Sequence, residues 1–189
     1  MKICRLTMAL GTLMFVGATA VQADPTVDIY SGFVASGGGA PFSGLVGSFS
    51  SPDILFATDF GYSWHPFGLA SFGADITGTL DVAAGGIYTF TLNSDDGSLL
   101  FIDGALAVDN GGAHGPTIVS SAIALAAGSH SFEVQFFEDF GGASGVDLYL
   151  PAGVTYGAAA VPEPSSALFL GTALFGSFTF LRRKVRKRA

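Results

Sequence analysis

Between Asp24 and Ala160 the chain has neither lysine nor arginine; all 8 basic residues stand in its two ends. Of the 15 acidic residues only Glu163 lies outside that stretch, so the body is a polyanion with no basic side chain to pair with. Nucleic acid and anionic membrane surfaces are therefore excluded as partners, whereas divalent cations are favoured. Repulsion among the carboxylates opposes compaction, and a cation that binds only the folded form offsets it by mass action. Cysteine is nearly absent as well: Cys4 is the only one, so no disulfide is available and the body must hold together without covalent staples. The chain has no Gly-x-Ser-x-Gly elbow, since Gly142-Ala143-Ser144-Gly145 lacks that spacing, and no phosphate-binding loop. A helical apolar period is missing throughout the body.

The two ends have a different chemistry. Lys2 and Arg5 precede an apolar run from Leu6 to Val16, and Val21-Gln22-Ala23 places small residues where a signal peptidase reads. This predicts a secretory signal over residues 1–23, because the run is too short to cross a bilayer of about 30 Å as a helix. At the other end, Pro162-Glu163-Pro164 is followed by the uncharged stretch Ser165 to Leu181 and then by Arg182, Arg183, Lys184, Arg186, Lys187 and Arg188. Residues 165–181 are expected to form a short membrane helix, with the basic cluster kept cytoplasmic and the body outside the inner membrane. These three elements in this order resemble the PEP-CTERM sorting signal. The resemblance implies recognition by an exosortase-type enzyme, cleavage near Pro162, Glu163 and Pro164, and passage through an inner-membrane intermediate to the cell surface or extracellular matrix of a polysaccharide-producing bacterium.

The expected domain is what remains, residues 24–160. Its first part is interrupted by Gly37-Gly38-Gly39, Pro41 and Ser50-Ser51-Pro52, with short strands expected near Val27 to Tyr30 and Ile54 to Ala57. From Asp75 onward apolar residues alternate: Ile76, Leu80 and Val82; Tyr88, Phe90 and Leu92; Ile123 and Leu125; Phe132, Val134 and Phe136; Val146, Leu148 and Leu150. Asp103-Gly104 is a two-residue hairpin signal. Short strands separated by turn signals predict an antiparallel β-sandwich or barrel, with most phenylalanines in its core.

The chemistry-bearing segment is Asn93-Ser94-Asp95-Asp96-Gly97-Ser98. Neighbours on an ordinary strand point to opposite faces, so Asp95 and Asp96 converge only on a special backbone. A cis peptide bond between them would turn both toward one point, where calcium could take them as two of its six to eight oxygen ligands and leave places for carbonyls, water or vicinal sugar hydroxyls. From these two residues alone, a plain Asp-Asp-Gly turn with solvated side chains is the simpler reading. Adjacent carboxylates sharing one ion do not suit glycoside hydrolysis, which sets its pair roughly 5 to 9.5 Å apart across a cleft.

The ordered set Gly86-Ile87-Tyr88-Thr89-Phe90, Ser94-Asp95-Asp96-Gly97-Ser98, Phe101-Ile102-Asp103-Gly104, Val108-Asp109-Asn110, His114, Leu125-Ala126-Ala127-Gly128, His130 and Phe136-Phe137-Glu138 resembles the protective-antigen-type domain, the PA-fourteen family. The resemblance spans about residues 70–150. It implies the family's β-sandwich or barrel, with the Asp-Asp pair holding calcium through a cis peptide and the ion helping to ligate a glycan. Sugar-binding members add an asparagine from a later loop. Here the loop from Glu138 to Gly145 has none, and Asp139 is the substitute its position offers, with Asn93 and Asn110 weaker candidates. Asp103 is assigned to its hairpin turn. Trp64 could stack on a sugar ring, although a lone tryptophan is more often core. His65, His114 and His130 are too widely spaced for a short-range zinc motif. The leading expectation is a calcium-dependent module that binds extracellular polysaccharide. The alternatives are a structural matrix protein in which calcium only stabilises the fold, and a small polysaccharide hydrolase with unrecognised catalytic groups.

Overall fold

Alternation of apolar and polar residues is what makes these segments strands: one face of each gains by leaving water while the other stays solvated. In the computed structural model, which describes residues 23–56 and 64–157, this gives β1 (Thr26–Gly32), β2 (Ser43–Ser50), β3 (Phe72–Val82), β4 (Gly86–Asp95), β5 (Ser98–Ile102), β6 (Ala105–Asn110), β7 (Thr117–Leu125), β8 (Gly128–Glu138), β9 (Gly145–Tyr149) and β10 (Val154–Tyr156). Among the described residues, no helix is long and apolar enough to cross a membrane. The signal segment before Ala23, the expected helix 165–181 and the Pro162-Glu163-Pro164 motif lie outside the described residues.

The strands form two antiparallel sheets. The larger runs β2-β1-β3-β8-β5-β6, with β10 beside β3, and the smaller runs β7-β4-β9. At the centre, β3 and β8 pair along their whole length, from Phe72 opposite Glu138 to Val82 opposite Gly128. Between the sheets lies the core, where Ile29, Phe72, Ile76, Leu80, Phe90, Leu92, Leu100, Phe132, Val134, Phe136, Val146 and Leu148 are buried. Asp103 and Gly104 both take positive φ, 50° and 75°, as the tight turn between β5 and β6 requires. Asp103 also accepts the Ser131 amide at 2.9 Å, which ties that hairpin to β8.

The first part of the body departs from expectation. Strand β2 had no alternating signal, since Ser43 to Ser50 is mostly exposed. The stretch around Ile54 makes only an isolated bridge from Leu55 to Asp147, because Ile54 and Phe56 each exchange a single backbone hydrogen bond with β9. The three glycines at 37–39 serve close approach as much as turning. A Cβ on Gly38 would lie 2.8 Å from Gln135 Cβ, and one on Gly39 would lie 2.7 Å from Phe137 Cβ. This segment therefore lies against the outer face of β8.

Candidate functional site

The inward-facing rows of β4, β5, β6 and β8 turn polar at one end of the sandwich. After Phe90 and Leu92 comes Ser94, before Leu100 comes Ser98, after Val108 comes Asn110, and after Phe136 comes Glu138; all four polar residues are buried. Asn110 donates to Ser94 Oγ (2.9 Å) and to the Thr117 carbonyl (3.0 Å), and the Ser94 and Ser98 hydroxyls pair at 2.8 Å. Burial of Ser94, Ser98 and Asn110 is tolerated because each finds a partner. The Asn110 amide is committed to this floor beneath the site. Asn93 donates instead to Asp147 (3.2 Å).

Above the floor the chain crosses from the small sheet to the large one, since β4 ends at Asp95 and β5 starts at Ser98. Asp96 and Gly97 make the crossing. The peptide bond joining Asp95 to Asp96 is cis. Gly97 has no room for a side chain: a Cβ there would meet the Gly37 and Gly112 carbonyl oxygens and the Phe137 ring, each at 2.6 Å. The Asp96 carboxylate holds two loops at once, accepting the His114 amide on Oδ1 (2.9 Å) and the Asp139 amide on Oδ2 (3.1 Å). The His114 ring fixes the first loop further, with its nitrogens 3.0 Å from the Asn110 carbonyl and 2.9 Å from that of Gly115.

A third carboxylate joins the pair. Asp95, Asp96 and Glu138 each place an oxygen within 4.8 Å of the others. Glu138 is only 2 % exposed; its Oε1 accepts the Gly142 amide at 3.2 Å, while its buried Oε2 has no hydrogen-bond partner. Burial above all raises the pKa of Glu138, with the charges of Asp96 and Asp95 adding to it and the backbone amides of Gly142 and, less so, Phe140 opposing it. Asp95 is raised by burial and then by Asp96, partly countered by His114. A cluster of this kind, all oxygen and without a cationic side chain, can bind a metal ion. Ligand oxygens around an ion with bonds of about 2.3–2.6 Å stand no more than about 5 Å apart, a limit the three carboxylates meet. Of the sequence candidates, Asp95 and Asp96 stand together; Asp139 is outside the group and contributes its amide to Asp96. Glu138 was missed, yet the alternation Phe132, Val134, Phe136 extended by one step puts it on the buried face, where an acid is out of place without a partner.

The group opens onto a cleft of about 330 Å³ lined also by His114, Phe140 and Ala143. Trp64 does not reach it; one ring face stacks on Phe56 (centroids 4.3 Å apart, planes 7° apart), and its edges meet Phe72 and Phe136. His65 packs edge-on against Phe72, and His130 pairs with Asp103 at 2.6 Å.

This fold and acidic cleft accompany a match of residues 19–158 to the model of the PA14 domain. The chain belongs to the PA14 domain family. Residues 160–184 match the PEP-CTERM protein-sorting motif, which marks the protein as one exported across the membrane to the cell surface. No curated protein matches the chain by sequence. Among solved structures it is similar to the PA14 sugar-binding domain from an RTX adhesin, at 18% identity and TM-score 0.53, over 69% of this chain and 91% of that one. It is similar also to the PA14 domain of the antifreeze protein MpAFP, at 14% identity and TM-score 0.55, over 78% of this chain and 92% of that one. A third likeness is to the β-glucosidase from Kluyveromyces marxianus, at 16% identity and TM-score 0.52 over 71% of this chain. There the chain spans only 16% of the enzyme. At these identities the likeness is one of fold.

Proposed function

We propose that this PA14 domain is a calcium-dependent, non-catalytic glycan-binding module displayed at or shed from the cell surface. The observation that carries this reading is the convergence of Asp95, Asp96 and Glu138 within 4.8 Å, with the buried Oε2 of Glu138 unpartnered. Leaving a buried carboxylate oxygen without a partner is costly, and a bound cation relieves both that cost and the mutual repulsion of three acids. Calcium suits the site because the donors are hard oxygens and the ion accepts irregular geometry with six to eight ligands. The three carboxylates fill part of that number and leave positions facing the cleft for water or the adjacent hydroxyls of a sugar. The sugar-binding adhesin domain of the same fold supports the same direction. Asp139, whose amide meets Asp96, is retained as a ligand candidate through water.

The sorting motif supports an exosortase-type enzyme as the processing partner, cutting near Pro162, Glu163 and Pro164 after an inner-membrane stage. The test of function is a glycan array probed with the purified protein in calcium and in chelator. Binding that disappears on chelation is expected. Binding unchanged by chelation contradicts calcium dependence, and a protein that takes up calcium yet binds no glycan is a structural matrix component instead.

A further inference from the structure

Twelve phenylalanines fall among the described residues, at positions 33, 42, 49, 56, 67, 72, 90, 101, 132, 136, 137 and 140, and Phe140 is the one that is exposed. Its side chain is 79% accessible, although burying such a ring would be favourable. Elsewhere in the body the rings find each other: Phe33 stacks on Phe137, Phe42 on Tyr30 and Phe56 on Trp64. Among the described residues Phe140 has no such ring contact, and it is the exposed one. It lies on the lip of the cleft that the three carboxylates line.

The loop that carries it is held in place from below. Asp96 accepts the amide of Asp139 on one side of Phe140, and Glu138 accepts the amide of Gly142 on the other. Gly141, with φ at 66°, turns the chain directly after the ring in a conformation that favours glycine. The two acids that would hold an ion thus also hold the loop that presents an aromatic face beside it. A pyranose has the complementary pair of surfaces: vicinal hydroxyls able to ligate an ion at one edge, and a patch of C–H bonds that packs on an aromatic ring.

We propose that Phe140 is the stacking platform of this site, selecting pyranosides that place two adjacent hydroxyls on the ion while laying an apolar ring face on the phenyl group. The proposal rests on the calcium-dependent glycan reading given above, and it turns from Trp64, whose ring face is stacked on Phe56, to the aromatic ring that lines the cleft.

The test measures calcium affinity and pyranoside affinity separately for the full-length protein, Phe140→Ala and Phe140→Trp. Calcium is titrated alone; methyl α-D-mannopyranoside, methyl α-L-fucopyranoside and methyl β-D-glucopyranoside are then titrated in saturating calcium. Phe140→Ala is expected to bind calcium within about twofold of the parent and to lose about fivefold or more in affinity for whichever pyranoside the parent binds, while Phe140→Trp keeps or gains affinity. Pyranoside binding by Phe140→Ala equal to the parent's overturns the platform and leaves the glycan reading standing. A parallel loss of calcium affinity overturns it too, since the ring would then act by shaping the loop. A parent that binds calcium but none of the three sugars overturns both the platform and the glycan reading for these ligands.

Discussion

Asp75 shows at a single residue what an acidic body without basic partners does to stability. It stands directly across from Asp28 in the β1–β3 register, with Glu133 close by on β8, and its Oδ1 is buried without a partner. Burial first, then the charges of Glu133 and Asp28, push its pKa up to about 6 from 3.8. Between these values the folded protein holds a proton that the unfolded chain has released, so stability falls as pH rises through about 6 and stays lower above it. A full shift of that size would be worth about 3 kcal/mol; solvent screening of a half-buried group reduces it to about 1 kcal/mol. Asp75→Asn is therefore expected to raise Tm at pH 7.5 by about 3 °C and to leave it nearly unchanged at about pH 3.5, below the unfolded value, as measured by thermal melts at both pH values. An equal effect at the two pH values would assign the change to packing instead.

The crossing from β4 to β5 decides the site at the level of the element. Gly97 must come within van der Waals contact of two backbone carbonyls and the Phe137 ring, so Gly97→Ala is expected to cost about 2 kcal/mol through overpacking, a fall in Tm of about 5–10 °C. Calcium affinity should fall with it, because Asp96 is displaced. Much of this element was legible in the sequence: the alternation in β3, β4 and β8 fixed their inward faces, Asp103-Gly104 marked its hairpin, and Asp95-Asp96-Gly97 stood out as unusual. Other features were hidden for physical reasons. Strand β2 is a mostly exposed edge on which Leu45 and Val46 stay in solvent and only Phe49 packs against the core, so no apolar period appears. Glycines 37–39 read as a break, but their lack of side chains is what lets the segment lie on β8. Glu138 was passed over in favour of Asp139 because the loop was taken to begin one residue too early. The β3–β8 register continues to Phe72 opposite Glu138, which keeps Glu138 on the strand and facing in. Trp64 was weighed as a sugar contact on residue type alone, and only the fold reveals Phe56 against its ring.

For the whole molecule, a sandwich with a net deficit of cations and no disulfide should depend on an ion for part of its stability. Calcium at about 100 times its Kd is expected to add about 2.7 kcal/mol, seen as a rise in Tm of about 10 °C that chelator reverses. The sorting motif at residues 160–184 marks export to the cell surface. The most direct test is isothermal titration of calcium into the purified protein, the Asp95→Asn variant and the Glu138→Gln variant. One ion per chain is expected for the parent, with affinity weakened about tenfold or more in each variant, because charge and ligand number set the Kd of such sites. Affinity in both variants equal to the parent's would move the ion away from Asp95 and Glu138 and contradict the account.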